Sequence, residues 1–218
     1  MKKRTVAILM ACTLILGATV GVTFAWLISG PKAVVNTFVA GKVAITLDEA
    51  EVNESGTAAS GAQRVQENEY TLIPGHSYDK DPTVHIEAGS EPCYVFVKVQ
   101  NGISTIESST NSIESQMTAN GWEVLSGAGG SDGTVYYFET NTGKNAGVTV
   151  DANGKITVPA TGKAVDLVVF ESFTIDGTKA HNTEISTLSA NSITVTAYAI
   201  QALGSTSAEE AWTKGGFN

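Results

Sequence analysis

Residues 191–202, NSITVTAYAIQA, set Ile193, Val195, Ala197 and Ala199 against Thr194, Thr196, Tyr198 and Ile200. A period of two places successive side chains on opposite faces of a pleated strand, whereas a helix would scatter the same apolar set around its axis. The pattern recurs along the chain. Phe38, Ala40, Val43, Ile45 and Leu47 predict an inward face opposite Thr37, Lys42, Thr46 and Asp48, with Gly41 marking a bulge or a close backbone approach. EYTLIPG at 69–75 reads as a short strand closed by Pro74-Gly75, and DPTVHIEAG at 81–89 as another opened by Pro82. PCYVFVKVQ at 92–100 is apolar on both faces, which predicts a central strand. WEVLSG and TVYYFET flank a Gly-rich connection, GVTVDANGKITV at 147–158 predicts a hairpin around Asn153-Gly154, and AVDLVVFESFTI at 164–175 reads as one long strand.

Two helical signals interrupt the strands. In NSIESQMTANG at 111–121, Asn111 is placed to cap, Ile113 and Met117 fall four apart, and Gly121 can end the helix. SAEEAW near residue 212 predicts a second short helix. Nine or ten strands joined by turns, with one or two short helices, define an all-β chain: an antiparallel β-sandwich, jelly-roll-like, over residues 26–218.

Composition narrows the function classes. The chain carries 13 Lys and Arg against 22 Asp and Glu. Setting aside Lys2, Lys3 and Arg4 leaves 10 basic residues and a balance of −12, which repels nucleic acid and anionic membranes. Of the two cysteines, Cys12 lies in the N-terminal apolar run and Cys93 in a strand. Removal of that run leaves Cys93 alone, read as a small buried apolar side chain.

The N-terminus has the form of a secretory leader. MKKR supplies positive charge, TVAILMACTLILGATVGVTFA an apolar stretch ending in small residues, and Thr23-Phe24-Ala25 predicts cleavage between Ala25 and Trp26. The stretch is at the short end of the ~20 residues a bilayer requires, so membrane contact is expected only through the leader before cleavage. LMAC at 9–12 has too little apolar sequence before Cys12 for lipidation.

Ala25-Trp26 followed by VVNTFVAGKVAITLDEAEV resembles the TasA/camelysin family of secreted Gram-positive proteins. In the family pattern N-T-F-x-A-G-x-[LV]-x-[IL]-x-L, the places are taken by Asn36, Thr37, Phe38, Ala40, Gly41, Val43, Ile45 and Leu47. The linker departs from the family: LISGPK stands where Ser/Thr-Asp usually follows the aromatic residue. LIPGHSYDKDPTVHIEAGSEPCYVFVKVQNGI and ITVTAYAIQALGSTSAEEAW also look similar to family members. The resemblance implies a leader cut by a SipW-type signal peptidase, a jelly-roll sandwich, and a place in extracellular fibres or on the cell surface of a biofilm matrix. The camelysin branch is classed as metallopeptidases.

Catalytic signals are sparse. HSYDKDPTVHIE gathers His76, Asp79, Asp81, His85 and Glu87, but no H-E-x-x-H places two ligands and a general base on one helix face. DANGKIT and DEAEVNES carry carboxylates without the EF-hand spacing. No G-x-S-x-G elbow is present. VPATG at 158–162 lies within the domain and reads as a turn, and Glu209 and Glu210 diverge on a short helix as a solvated face. Trp122 and Trp212 are expected to pack the ends of the core, while Trp26, exposed after cleavage, needs a partner surface.

These readings assign no catalytic, metal or cofactor residue. They predict a secreted structural subunit that self-associates into fibres, with Val35, Asn36, Thr37, Phe38, Ala40 and Gly41 as the assembly strand inserted at a neighbour's sheet edge. The alternatives are a camelysin-like surface metallopeptidase centred on His76, His85 and Glu87, and a surface binding module held by an uncleaved leader.

Overall fold

Antiparallel pairing organises every sheet of the computed structural model, which describes residues 42–130, 133–179 and 193–217. In chain order the elements are β1 (Ile45–Ala50), β2 (Arg64–Val65), β3 (Ser77–Asp79), β4 (Thr83–Ile86), β5 (Cys93–Asn101), α1 (Ile113–Ala119), β6 (Trp122–Gly130), β7 (Gly133–Phe138), β8 (Val165–Val168), β9 (Ser172–Thr174), β10 (Ile193–Gln201) and α2 (Ala208–Gly215), with a 3-10 turn at Gly143–Asn145. Two four-stranded sheets run in the orders β2-β1-β4-β8 and β10-β5-β7-β6, and β3 pairs with β9 in a third small sheet. The fold is all-β and sandwich-like, with two short helices among the described residues.

The doubly apolar strand is interior, as its sequence predicts. β5 is flanked by β10 and β7, and Tyr94 to Val97 are all buried. Val95, Val97 and Val99 enter the main core, together with Val84 and Ile86 of β4, Leu167 of β8 and Phe138 of β7. Tyr94 and Phe96, on the opposite face, meet Leu125 and Val135 in a second cluster covered by α2, where Phe96 and Tyr198 pack edge-on against Trp212. Each face of this sheet therefore has its own hydrophobic partner, which is why its central strand tolerates no alternation. Trp122 fills one end of the main core and donates its indole N–H to the Val168 carbonyl at 2.9 Å.

Several expected boundaries shift for local reasons. Ser112 rather than Asn111 caps α1: its Oγ accepts the Ser115 N–H at 3.2 Å, while Asn111 adopts φ 62°. Gly121 ends the helix at φ 86°, and a Cβ there would meet the Thr140 carbonyl oxygen. Residues 69–75 form no strand. The Tyr70 and Tyr78 hydroxyls hold this segment instead, by bonds to the Asp79 and Thr71 carbonyls and from the Ile73 N–H. The stretch 164–175 divides into β8 and β9, which belong to different sheets. Val169 and Phe170 are consecutive and both fully buried, and one pleated strand cannot bury both neighbours on a single face. The hairpin at 147–158 is reduced to a single bridge, Val150 to Ile156, because Ile156 also exchanges both backbone bonds with Cys93. α2 carries a Ser207-to-Glu210 cap, and Glu210 accepts from Thr206 and Lys214; the side chain read as a solvated face thus fixes the helix start.

Candidate functional site: an open seam and its ionic flank

The two large sheets meet along β1 and β10. The register fixes which backbone groups are engaged. Ala202 donates to the Pro92 carbonyl at 2.8 Å, in step with the β10–β5 pairing. In an antiparallel ladder the bonded residues alternate. Thr194, Thr196, Tyr198 and Ile200 therefore turn their amides and carbonyls toward β5, while Ile193, Val195, Ala197, Ala199 and Gln201 turn theirs outward. Among the described residues no strand pairs with that outer edge. β1 behaves alike. Glu87 donates to the Ala44 carbonyl, which assigns the even residues to β4 and leaves Ile45 and Leu47 facing outward; β2 reaches only Glu49 and Ala50.

A cleft of about 500 Å³ lies at this seam, lined by Leu47, Asp48 and Lys80 on one side and by Ile193, Thr194 and Val195 on the other. The inward residues Val43, Ile45, Leu47, Ile193, Val195, Ala197 and Ala199 all touch the main core, yet each remains only half-buried. Apolar side chains that face a core but stay half in water mark a surface that gains free energy when covered.

On the outer face beside the seam, charges replace apolar contacts. Arg64 of β2 binds Asp48 at 2.6 Å and Asp81 at 2.5 Å, and also reaches both of their carbonyls. His85 of β4 contacts Asp48 through Nε2 at 2.9 Å and Asp166 through Nδ1 at 2.7 Å. Both ring nitrogens donate here only in the imidazolium form. Burial opposes that charge, but hydrogen bonds to Asp166 and Asp48 outweigh it and the His85 pKa is raised. Asp48 feels the same opposition: burial raises its pKa, and Arg64 and His85 pull it below the ordinary carboxylate range. The network ties four strands of one sheet together.

The residues on which the metallopeptidase alternative would centre each have other partners. His76 approaches the Ser55 carbonyl at 3.0 Å and packs edge-on against Tyr78, His85 is engaged by two carboxylates, and Glu87 lies exposed 3.9 Å from Lys42. Among the described residues no group of three or more His, Cys, Asp or Glu side chains is placed to hold a metal ion. Cys93 is fully buried, and burial pushes its thiol pKa up to about 12. Ala25, Trp26, Val35, Asn36, Thr37, Phe38, Ala40 and Gly41, and with them the predicted cleavage site and assembly strand, lie outside the described residues. Sequence reading missed Arg64, Asp48 and Asp166 as one cluster; only the register, which sets Asp166 opposite His85, brings them together. Among the described residues no helix is long and apolar enough to cross a membrane.

The described residues define an all-β, sandwich-like domain with an open edge. No family model, curated protein or solved structure matches the chain.

Proposed function

We propose that this chain is a secreted structural subunit of an extracellular matrix or cell-surface fibre, joined to its neighbours by strand addition. The open seam carries the reading: a row of outward amides and carbonyls on β10 beside half-buried apolar side chains. The occupant is the segment that precedes Lys42 in a second copy, containing Val35, Asn36, Thr37, Phe38, Ala40 and Gly41. Residues 33–41, AVVNTFVAG, carry no charge and equal in number the nine residues of β10. Main-chain bonds would supply affinity, and apolar side chains such as Val35 and Phe38 would cover the half-buried row. A head-to-tail contact of this kind propagates as a filament.

Export precedes assembly in this scheme. A SipW-type signal peptidase cuts between Ala25 and Trp26, and the released segment becomes available outside the cell. The test compares the processed protein with a version lacking residues 26–36 by electron microscopy, with the mature N-terminus checked by mass spectrometry. Fibres from the processed form alone are expected. Equal fibre formation by both removes strand addition as the mechanism.

A further inference from the structure

At the inner wall of the seam, the side chains of Glu49, Asn68 and Lys80 converge. Glu49, with its side chain 5% exposed, accepts from Lys80 Nζ at its Oε2 (2.6 Å) and from Asn68 Nδ2 at its Oε1 (3.1 Å). The amine and the carboxamide nitrogen thus hang from the two oxygens of one buried carboxylate. Asn68 Oδ1 accepts the Val52 N–H at 3.0 Å, and Lys80 lies 5.8 Å from the centroid of the Tyr70 ring. Asn68, Lys80 and Tyr70 also line a smaller cavity closed by Leu72, Ile103 and Phe173.

We propose that Lys80 and Asn68 form an intramolecular isopeptide bond, with Glu49 as the proton-transfer group. The parts of an acyl transfer are in place. Lys80 is the nucleophile once its ammonium proton passes to Glu49, a transfer that removes two opposite charges from a site with apolar walls. Nζ attacks Asn68 Cγ, and the Val52 N–H already on Oδ1 stabilises the oxyanion of the tetrahedral intermediate. Glu49 takes a second proton from Nζ at one oxygen and delivers protons to Nδ2 at the other. The Cγ–Nδ2 bond breaks, the Cγ–Nζ amide forms, and the nitrogen departs as ammonium carrying both protons that Nζ gave up, a net loss of one ammonia from the neutral chain. No oxidant, reductant or cofactor is consumed, and Glu49 ends as it began. The bond would close the chain between Asn68 and Lys80, holding the segment after β2 to the start of β4 beside the seam. This inference does not depend on the fibre reading.

Intact-mass measurement of the purified, fully denatured protein tests it, followed by tandem mass spectrometry of a protease digest. The expected mass is that of the sequence less one ammonia, with a branched peptide joining the Lys80 and Asn68 fragments. Lys80→Ala, Asn68→Ala and Glu49→Gln should each restore the full sequence mass and two separate linear peptides. A wild-type protein at full mass overturns the proposal whether or not the variants fold. Ammonia loss that persists in Lys80→Ala also overturns it, because an asparagine imide then accounts for the loss. Ammonia loss that persists in Glu49→Gln removes Glu49 from the reaction and refutes the mechanism.

Discussion

A proline placed at Ala197 separates the edge of β10 from its ladder. Ala197 lies opposite Val97, and the bond from Ala202 to Pro92 sets the phase in which Ala197 turns its N–H away from β5. Proline removes that donor and is tolerated where the N–H faces outward, so Ala197→Pro should cost the isolated domain about 1 kcal/mol, or roughly 2–4 °C in melting temperature. Thr196→Pro is the matched control. Thr196 is exposed and pairs with Lys98 in the bonded phase, so the same ring there orphans a Lys98 carbonyl, at about 1–3 kcal/mol. For an added strand the ranking reverses. Losing one or two bonds worth about 0.5–1.5 kcal/mol each weakens docking by about 1–3 kcal/mol. At about 1.4 kcal/mol per tenfold, assembly should then need roughly 5- to 150-fold more protein. Sedimentation and electron microscopy over a concentration series, beside thermal melts by circular dichroism, read both effects. If Ala197→Pro melts near the wild type and forms fibres at the same concentration, β10 is not the acceptor edge.

Three further outcomes follow from the described contacts. The raised pKa of His85 makes its contribution fully present below the unfolded value near 6.5 and lost as pH rises through the higher folded value; Asp48, held low, contributes above about 3.8 and loses that contribution as pH falls through its lower folded value. Melting temperature should therefore decline on the alkaline side of about pH 6.5, and His85→Gln should flatten that decline; an unchanged slope refutes the assignment. Cys93, fully buried and with its thiol pushed up to about 12, should resist maleimide labelling in the native protein and react in denaturant, with intact mass as the readout; labelling of the folded protein at the denatured rate contradicts its placement. Gly121→Ala forces a Cβ into the Thr140 carbonyl oxygen at φ 86° and should cost about 3 kcal/mol or more in a urea titration, whereas Gly61→Ala, at similar φ with open space around it, should cost only about 1 kcal/mol.

Much of this architecture can be read from the chain because burial writes itself into periodicity. β10 alternates, and Ile193, Val195, Ala197 and Ala199 pack against the main core while Tyr198 and Ile200 pack against the second. β5 is apolar throughout and is interior in its sheet. Reading fails where side chains replace backbone partners. Residues 69–75 look like a strand, but tyrosine hydroxyls take the place of a ladder. At 164–175 the apolar density hides a change of parity at Val169 and Phe170, and hence a change of sheet. The candidate site was the least legible part. Glu49, Asn68 and Lys80 lie far apart in sequence, and no local pattern announces that β1 and the approach to β4 bring them onto one carboxylate. The open edge is likewise a property of pairing order, invisible until β10 is seen, among the described residues, to have β5 on one side alone.

The four outer strands of the two large sheets are not equally protected. β2 is two residues long. β8 is four, and at its end Asn145 takes the Val168 N–H while the Val168 carbonyl accepts from Trp122 and Asn145. β6 slips register between Val124 and Gly129, with left-handed glycines at 127 and 129 that twist its edge. Short length, capping side chains and bulges are the devices that keep a sheet margin from pairing with other chains. Among the described residues, β10 is neither short nor bulged. It runs nine residues in one unbroken register with β5 and contains no charge, proline or glycine. In a chain whose balance without its first basic residues is −12, most surfaces of one copy repel most surfaces of another. In the proposed assembly, an uncharged margin on an acidic molecule would discriminate: it would turn away acidic faces and admit a charge-free extended segment such as residues 33–41. Such selectivity would favour docking of the N-terminal segment over indiscriminate edge-to-edge aggregation, and the proposal therefore predicts that Phe38→Asp should suppress fibres more than Thr46→Asp at an exposed position, a difference that sedimentation of the two variants reads directly.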